Sequence, residues 1–193
     1  MQKIGTVAFV QVQRYSMKKW FDDDLHYDTN PLMTVDKLWL NNGGIMGITE
    51  DNTTIVDVHS MQHPESKCRG DNKISFGFLP NYDAMRERFG EHMTDGIAGE
   101  NILITVEGDL PEDILSKNWI LETSDGTHVP LKSVVVAPPC REFSIFCAGK
   151  TIAGSELKET LQFLHDGRRG YYAELAQADL TCFVQAGDSL FIE

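Results

Sequence analysis

Short β-branched runs recur along the whole chain of 193 residues, and they are the pattern that most restricts its fold. Alternating or β-branched runs of this length, separated by turn residues, predict strands. Strands are predicted at Ile4–Gln13, Thr53–His59, Asn101–Val106, Trp119–Thr123, His128–Ala137, Tyr171–Leu175, Thr181–Val184 and Ser189–Ile192. So many short strands predict a mainly β fold, a closed or nearly closed β-barrel with a few short helices.

The turns between these runs predict local pairings and leave one region undefined. Ser124-Asp125-Gly126 predicts a hairpin between the fourth and fifth strands, and 171–175 and 181–184 are expected to pair with each other. The region from Tyr15 to Asp51 shows the least periodicity, and the acidic run 22–24 is interpreted as a solvated loop. Since no linker or repeat interrupts the chain, one domain over residues 1–193 is expected.

Only two segments have the pattern of helices, near 81–90 and 155–166. Asn81 and Gly90 are suitable residues for the two ends of the first. Ser155 is the expected N-cap of the second, and Gly167 is its expected stop.

The charge balance excludes some partners. With 29 acidic and 17 basic residues the net charge is −12, so no positive field attracts nucleic acid or an anionic membrane. No apolar run is long enough to span a bilayer, and the first twelve residues lack the order of a signal peptide. A cytoplasmic protein is expected, and the scattered cysteines 68, 140, 147 and 182 agree with a reducing compartment. Any anionic ligand must then be bound by a local cluster of cations.

One cysteine has a setting suited to chemistry. Pro138 and Pro139 stiffen the chain before Cys140, and a cation beside a thiol, here Arg141, favours the reactive thiolate. Such a thiolate could be a nucleophile, a persulfide carrier or a ligand of a soft metal, although a buried core cysteine is the commoner case. Cys147 and Cys182 lie in apolar runs and are expected to be inert core residues.

Three further stretches could contact a ligand. In GIAGEN (96–101), glycines allow a close approach of the backbone, and Glu100 and Asn101 offer side-chain hydrogen bonds, unless the segment is only a tight turn. The stretches KCRGDNK (67–73) and GRRGYYA (167–173) carry cations that could bind a phosphate, or could be ordinary surface charge. His59 and His63 are four residues apart but not on a predicted helix, which disfavours a shared metal.

Taken in order, these motifs resemble the MOSC domain, the C-terminal domain of molybdenum cofactor sulfurases. The resemblance covers about Lys67 to Phe191 and rests on GIAGEN-I, on Pro139-Cys140, on GRRGYYA and on Gly187-Asp188 before the last strand. It is poor over 15–66, where Gly43-Gly44 lacks the Gly-Asp and basic residues that usually follow. Where the family often has His-Gly, this chain has Arg69-Gly70.

The resemblance implies a small stand-alone member that binds molybdenum cofactor. Cys140 would be the catalytic residue and a molybdenum ligand, and Gly99, Glu100, Asn101, Arg69, Lys73, Arg141 and Arg169 would contact the cofactor. Cys140, the 99–101 loop, Lys73 and Arg169 are accordingly predicted to share one pocket.

The sequence leaves three functional alternatives open. The chain could reduce N-hydroxylated compounds with electrons from a redox partner, because it has no flavin or iron–sulfur motif of its own. It could instead carry persulfide sulfur, without catalysis, from a cysteine desulfurase to a molybdoenzyme, or be a degenerate barrel that binds neither. Pyridoxal phosphate is not expected on this chain, since the desulfurase domain that holds it in the sulfurases is missing.

Overall fold

The computed structural model describes residues 1–193 and is mainly β. Its strands are β1 Gln2–Gln13, β2 Lys18–Phe21, β3 Asp24–Tyr27, β4 Leu32–Val35, β5 Lys37–Asn41, β6 Gly44–Ile48, β7 Thr54–Val56, β8 Ile74–Phe78, β9 Ile102–Val106, β10 Trp119–Glu122, β11 His128–Val136, β12 Tyr171–Leu175, β13 Cys182–Gln185 and β14 Ser189–Ile192. Its helices are α1 Leu79–Phe89, α2 Arg141–Ala148 and α3 Gly154–Leu164, with a 3-10 turn at Ile114–Ser116. No helix is long and apolar enough to cross a membrane.

Seven strands close into a barrel, as the sequence predicts. Their order is β14-β10-β11-β12-β8-β9-β1, and β1 pairs again with β14 to complete the ring. Every pairing in the ring is antiparallel except that of β8 with β9. The long strand β1 changes partner along its length, since its far end pairs with β4 at Val10–Gln13. At Gly5, where β1 shifts register, a Cβ would lie 2.0 Å from the Thr105 carbonyl oxygen, so only glycine fits there.

The least periodic region, residues 15–51, is also built from strands. It supplies the β2–β3 hairpin, β4, and the strands β5 and β6 of a second sheet, ordered β13-β5-β6-β7. The acidic run is exposed, as predicted. Asp22 and Asp23 form the turn of the β2–β3 hairpin, where both have positive φ, and Asp24 begins β3. The other two strands of the second sheet, β7 and β13, overlap the strands predicted at Thr53–His59 and Thr181–Val184.

Two apolar clusters hold the fold together. The larger contains 25 buried residues, fills the barrel and continues to the second sheet through Leu38, Leu40 and Ile45. Inside the barrel, three aromatic rings pack around Trp119, those of Phe76, Phe78 and Tyr171. The smaller contains eight buried residues and lies under the helices. It includes Cys147, which agrees with the prediction that this cysteine is a core residue.

The helices differ from prediction in number and in their ends. Helix α1 begins two residues early, with Pro80 in its first turn, and Asn81 Nδ2 instead donates to the Gly167 carbonyl oxygen at 3.0 Å. Ala153 rather than Ser155 is the N-cap of α3, which ends at Leu164 before Gly167. Helix α2 was not predicted, because its eight residues follow two prolines that indicate a turn.

The predicted hairpin and the predicted strand pair have opposite outcomes. The hairpin over Ser124-Asp125-Gly126 is confirmed, because β10 and β11 pair antiparallel from Trp119–Leu131 to Glu122–His128. The expected pairing of β12 with β13 is wrong. β12 lies between β11 and β8, and β13 joins β5 in the second sheet. The consecutive strands β12 and β13 therefore belong to different sheets.

Candidate functional site

A cavity of about 540 Å³ opens where the end of β1, the 58–72 segment and the β11–α2 turn meet. This volume is within the range of small-molecule and cofactor sites. Its walls carry two thiols, four cations, one histidine and several polar groups. They include Cys140, Cys68, Lys18, Lys67, Arg69, Arg169, His59, Gln13, Asn72 and Tyr172. We call this cavity the Cys140 pocket.

Cys140 reaches the pocket because it is the N-cap of α2. Its backbone is extended, and its carbonyl oxygen accepts the first hydrogen bonds of the helix, from Ser144 N at 3.0 Å and Ser144 Oγ at 2.9 Å. Pro138 and Pro139, which precede it, also line the cavity. Cys140 is thus partly exposed at the groove, whereas Cys147 and Cys182 are buried.

Arg169 is the most deeply placed cation of the pocket. Its guanidinium packs against the Phe143 ring at 5.6 Å, and its Nη1 is buried without a hydrogen-bond partner. Burial tends to lower the pKa of Arg169, but Tyr172, Tyr27 and Glu100 more than offset this effect, so the pKa is raised. A buried donor without a partner is costly, and a ligand that accepts a hydrogen bond would remove that cost.

Lys18 lies on the opposite element, the β2–β3 hairpin, and is fixed to the start of α2. Its Nζ is 2.7 Å from Glu142 Oε2. Burial tends to lower the pKa of Lys18, but the hydrogen bond to Glu142 and the charge of Cys140 raise it overall. Lys18 is therefore the lysine whose charge interacts with the Cys140 thiol.

Five of the seven predicted cofactor contacts do not line the pocket, and two of the five, Lys73 and Arg141, are cations with acidic partners elsewhere. Lys73 precedes β8 and lies opposite Glu174 of the paired strand β12, where Nζ is 3.7 Å from Oε2. Arg141 points to the acidic turn of the hairpin, with Nη1 3.4 Å from Asp24 Oδ1. The predicted convergence of Lys73 with Cys140 is therefore wrong, and Arg141 is a partner of Asp24 rather than a wall of the cavity.

The Gly99-Glu100-Asn101 loop lies behind the pocket rather than in its wall. Gly99 has φ +92°, and a Cβ there would be 2.7 Å from Gln13 Nε2. The Gly99 carbonyl oxygen accepts a hydrogen bond from that same amide at 2.7 Å. The loop therefore positions Gln13, which does line the cavity, and the tight packing accounts for the glycine.

Glu100 is a buried carboxyl with one satisfied oxygen. Oε2 accepts a hydrogen bond from the Tyr82 hydroxyl at 2.6 Å, and Oε1 has no partner. Burial raises the pKa of Glu100, although the charge of Arg169 and the Tyr82 bond act in the opposite direction. No ion pair within 4.0 Å joins Glu100 to Arg169, so each of these side chains keeps one unpartnered atom.

Sequence reasoning missed several pocket residues, and one of them has a distinctive setting. His59 Nδ1 lies 3.1 Å from Oδ1 of Asp57, a carboxylate that is only 1% exposed. The D-x-H spacing was the available signal, but His59 was considered only with His63 as a metal pair. Lys18 and Cys68 had no signal, because nothing local in the sequence places the β2–β3 hairpin and the 63–72 segment beside Cys140.

Comparison with known proteins gives a fold and no family. No family model matches the chain, and no curated protein matches it. Among solved structures, the crystal structure of the YuaD protein from Bacillus subtilis superposes with a TM-score of 0.58. The match covers 96% of this chain and 93% of that chain at 12% sequence identity, which shows a shared fold alone.

Proposed function

We propose that this chain binds a molybdenum–pterin cofactor in the Cys140 pocket, as its resemblance to the MOSC domain implies. The observation that carries the proposal is the meeting of the partly exposed Cys140 thiol with four cations, Lys18, Lys67, Arg69 and Arg169, in a single cavity. In a chain of net charge −12, four cations in one cavity are a local reversal of charge. Such a cluster suits an anionic ligand, and the thiol beside it suits a metal that accepts thiolate.

The residues of the pocket suit the two ends of this cofactor. A phosphate needs charge-assisted donors, and Arg169 has a buried Nη1 that lacks a partner. Arg69 and Lys67 stand at the exposed side of the same cavity. Molybdenum in this cofactor accepts thiolate ligands, and Cys140 lines the wall. When bound, the cofactor would supply two-electron redox chemistry at the metal.

The proposed reaction is reduction of N-hydroxylated compounds. Arg169 and Arg69 hold and orient the cofactor, and Cys140 fixes its metal. The electrons come from a separate redox partner.

A second candidate is sulfur transfer, and Cys68 favours it. Cys68 is also partly exposed and lines the same cavity as Cys140. As a thiolate, Cys68 could take the outer sulfur of a persulfide on Cys140, with release of the Cys140 thiol, before the sulfur passes to a molybdoenzyme. The two candidates differ in one respect: a carrier retains sulfane sulfur without molybdenum.

The test compares four variants after reconstitution with molybdenum cofactor. Arg169→Ala should lower pterin affinity about 10- to 150-fold, the cost of one charge-assisted hydrogen bond. Cys140→Ser should keep most pterin, measured by fluorescence, but abolish reduction or sulfur transfer, since a serine hydroxyl stays protonated and is a harder donor. Lys73→Ala and Cys182→Ser, which change residues outside the pocket, are the matched controls and should behave as wild type.

Two results would contradict the proposal. The first is full activity of Cys140→Ser, and the second is equal loss of pterin in Arg169→Ala and Lys73→Ala. Because Arg169 is buried, Arg69→Ala is a second variant at the exposed side of the cavity. It should weaken pterin binding without a change in melting temperature.

A further inference from the structure

His59 has the contacts of an oriented acid–base histidine. Its Nδ1 lies 3.1 Å from Asp57 Oδ1, and its backbone N–H donates to the same oxygen at 2.8 Å. The histidine side chain is 19% exposed, it lines the Cys140 pocket, and no hydrogen bond engages its Nε2. A carboxylate beside Nδ1 fixes the proton on that nitrogen and leaves the other ring nitrogen free for proton exchange.

Asp57 is itself rigidly held. Its second oxygen, Oδ2, accepts the Gln13 backbone N–H at 2.7 Å and Asn101 Nδ2 at 2.9 Å. The carboxylate is 1% exposed and both oxygens have partners. These contacts come from the far end of β1 and from the start of β9, so the core of the barrel determines the position of His59.

We propose that His59 is the acid–base residue of the Cys140 pocket and that Asp57 is its positioning residue. This inference rests on the proposed function. Reduction of an N-hydroxylated compound breaks the N–O bond, forms one N–H and one O–H bond, and releases water. The reaction consumes two protons and two electrons, the latter from the redox partner.

His59 provides the proton that the oxygen takes up, and solvent provides the proton that the nitrogen takes up. As an imidazolium, His59 donates the Nε2 proton to the departing hydroxyl oxygen, so that water leaves. The other proton stays on Nδ1, hydrogen-bonded to Asp57. Solvent then restores the proton on Nε2 through the open side of the cavity.

The first readout is the tautomer of His59, which needs no ligand. Long-range ¹H–¹⁵N correlation spectra of the wild-type chain should show the neutral His59 ring protonated on Nδ1. A neutral ring protonated on Nε2 would overturn the proposal, because Asp57 would then not hold the proton.

The second readout is turnover. His59→Asn keeps a donor toward Asp57 but has no Nε2, and it should lower kcat about 10²- to 10⁴-fold with little change in KM. The kcat of His59→Ala should fall by a similar factor and recover partly when imidazole is added. A merely structural role of His59 would not allow this recovery. The control is His165→Asn, since His165 is paired with Asp166 at 2.9 Å on the exposed surface outside this cavity.

The two proposals fail in different ways. If the wild-type chain loaded with cofactor has no turnover, the proposed function fails and the role of His59 fails with it. If the wild type is active and His59→Asn is equally active, only the role of His59 is overturned.

Discussion

Asn101 and Asp57 are joined by a hydrogen bond of 2.9 Å between Nδ2 and Oδ2, deep under the Cys140 pocket. Asn101 also donates to the Gln11 carbonyl oxygen at 3.2 Å and accepts from Ser75 Oγ at 2.7 Å. Both amide hydrogens are therefore used within the protein, and the side chain is only 1% exposed. Its role is to hold the carboxylate that orients His59.

Substitution of Asn101 should therefore affect stability more than direct binding. Asn101→Ala leaves Asp57 and Ser75 without one buried partner each, and each such loss costs about 1–3 kcal/mol. Urea denaturation should show a lower midpoint with an unchanged slope. An unchanged midpoint combined with lost pterin binding would indicate that Asn101 contacts the ligand after all.

The thiols should react in an order that follows their surroundings. Burial raises the pKa of Cys147 to about 12 and that of Cys182 to about 11. At pH 8 the thiolate is therefore about one in ten thousand molecules for Cys147 and about one in a thousand for Cys182. Cys140 and Cys68 are partly exposed on the pocket. Limited alkylation read by mass spectrometry should label these two first. Equal labelling of all four, or labelling of Cys182 first, would remove Cys140 from the mechanism.

Glu100 should make stability depend on pH in a defined direction. Burial raises its pKa in the folded state above the ordinary 4.5, so the folded state binds the proton more tightly than the unfolded state does. The stability that this group contributes is complete below the ordinary value and is lost as the pH rises toward the folded value.

Glu100→Gln removes this dependence while the amide oxygen can still accept the Tyr82 bond. The difference in melting temperature, variant minus wild type, should therefore be larger at pH 8 than at pH 4. For a chain of this size each 1 kcal/mol corresponds to about 2–4 °C. Asp188, whose pKa burial also raises, is present in both proteins and cancels in the comparison. If this difference in melting temperature becomes smaller as the pH rises, the pKa of Glu100 is not raised in the folded state.

The sequence predicts most of the barrel wall, because β-branched or alternating runs mark six of its seven strands. The runs at β1, β9, β10, β11, β12 and β14 all appear as predicted strands, whereas β8 does not. In the second sheet, β7 and β13 overlap predicted strands, but β5 and β6 lie in the least periodic region and were not predicted. Helix α2 was not predicted because Pro138 and Pro139 indicate a turn. Proline is also tolerated at the start of a helix, where its missing N–H breaks no helical hydrogen bond.

The candidate site was only partly predictable, since the sequence indicates residue types but not which way they face. Cys140, Arg69 and Arg169 do share one cavity. Lys73 lies in the same basic stretch as Arg69, but its position opposite Glu174 directs it elsewhere. Lys18 and His59 become pocket residues only through the β2–β3 hairpin and the Asp57 contact, which depend on long-range packing.

The most direct measurement is the molybdenum content of the purified chain. Expressed in a host that makes the cofactor, the wild-type protein should carry close to one molybdenum per chain by elemental analysis. Arg169→Ala should carry much less, and Lys73→Ala should match the wild type. Molybdenum at background level in the wild type, in a host whose other molybdoenzymes are fully loaded, would contradict the account.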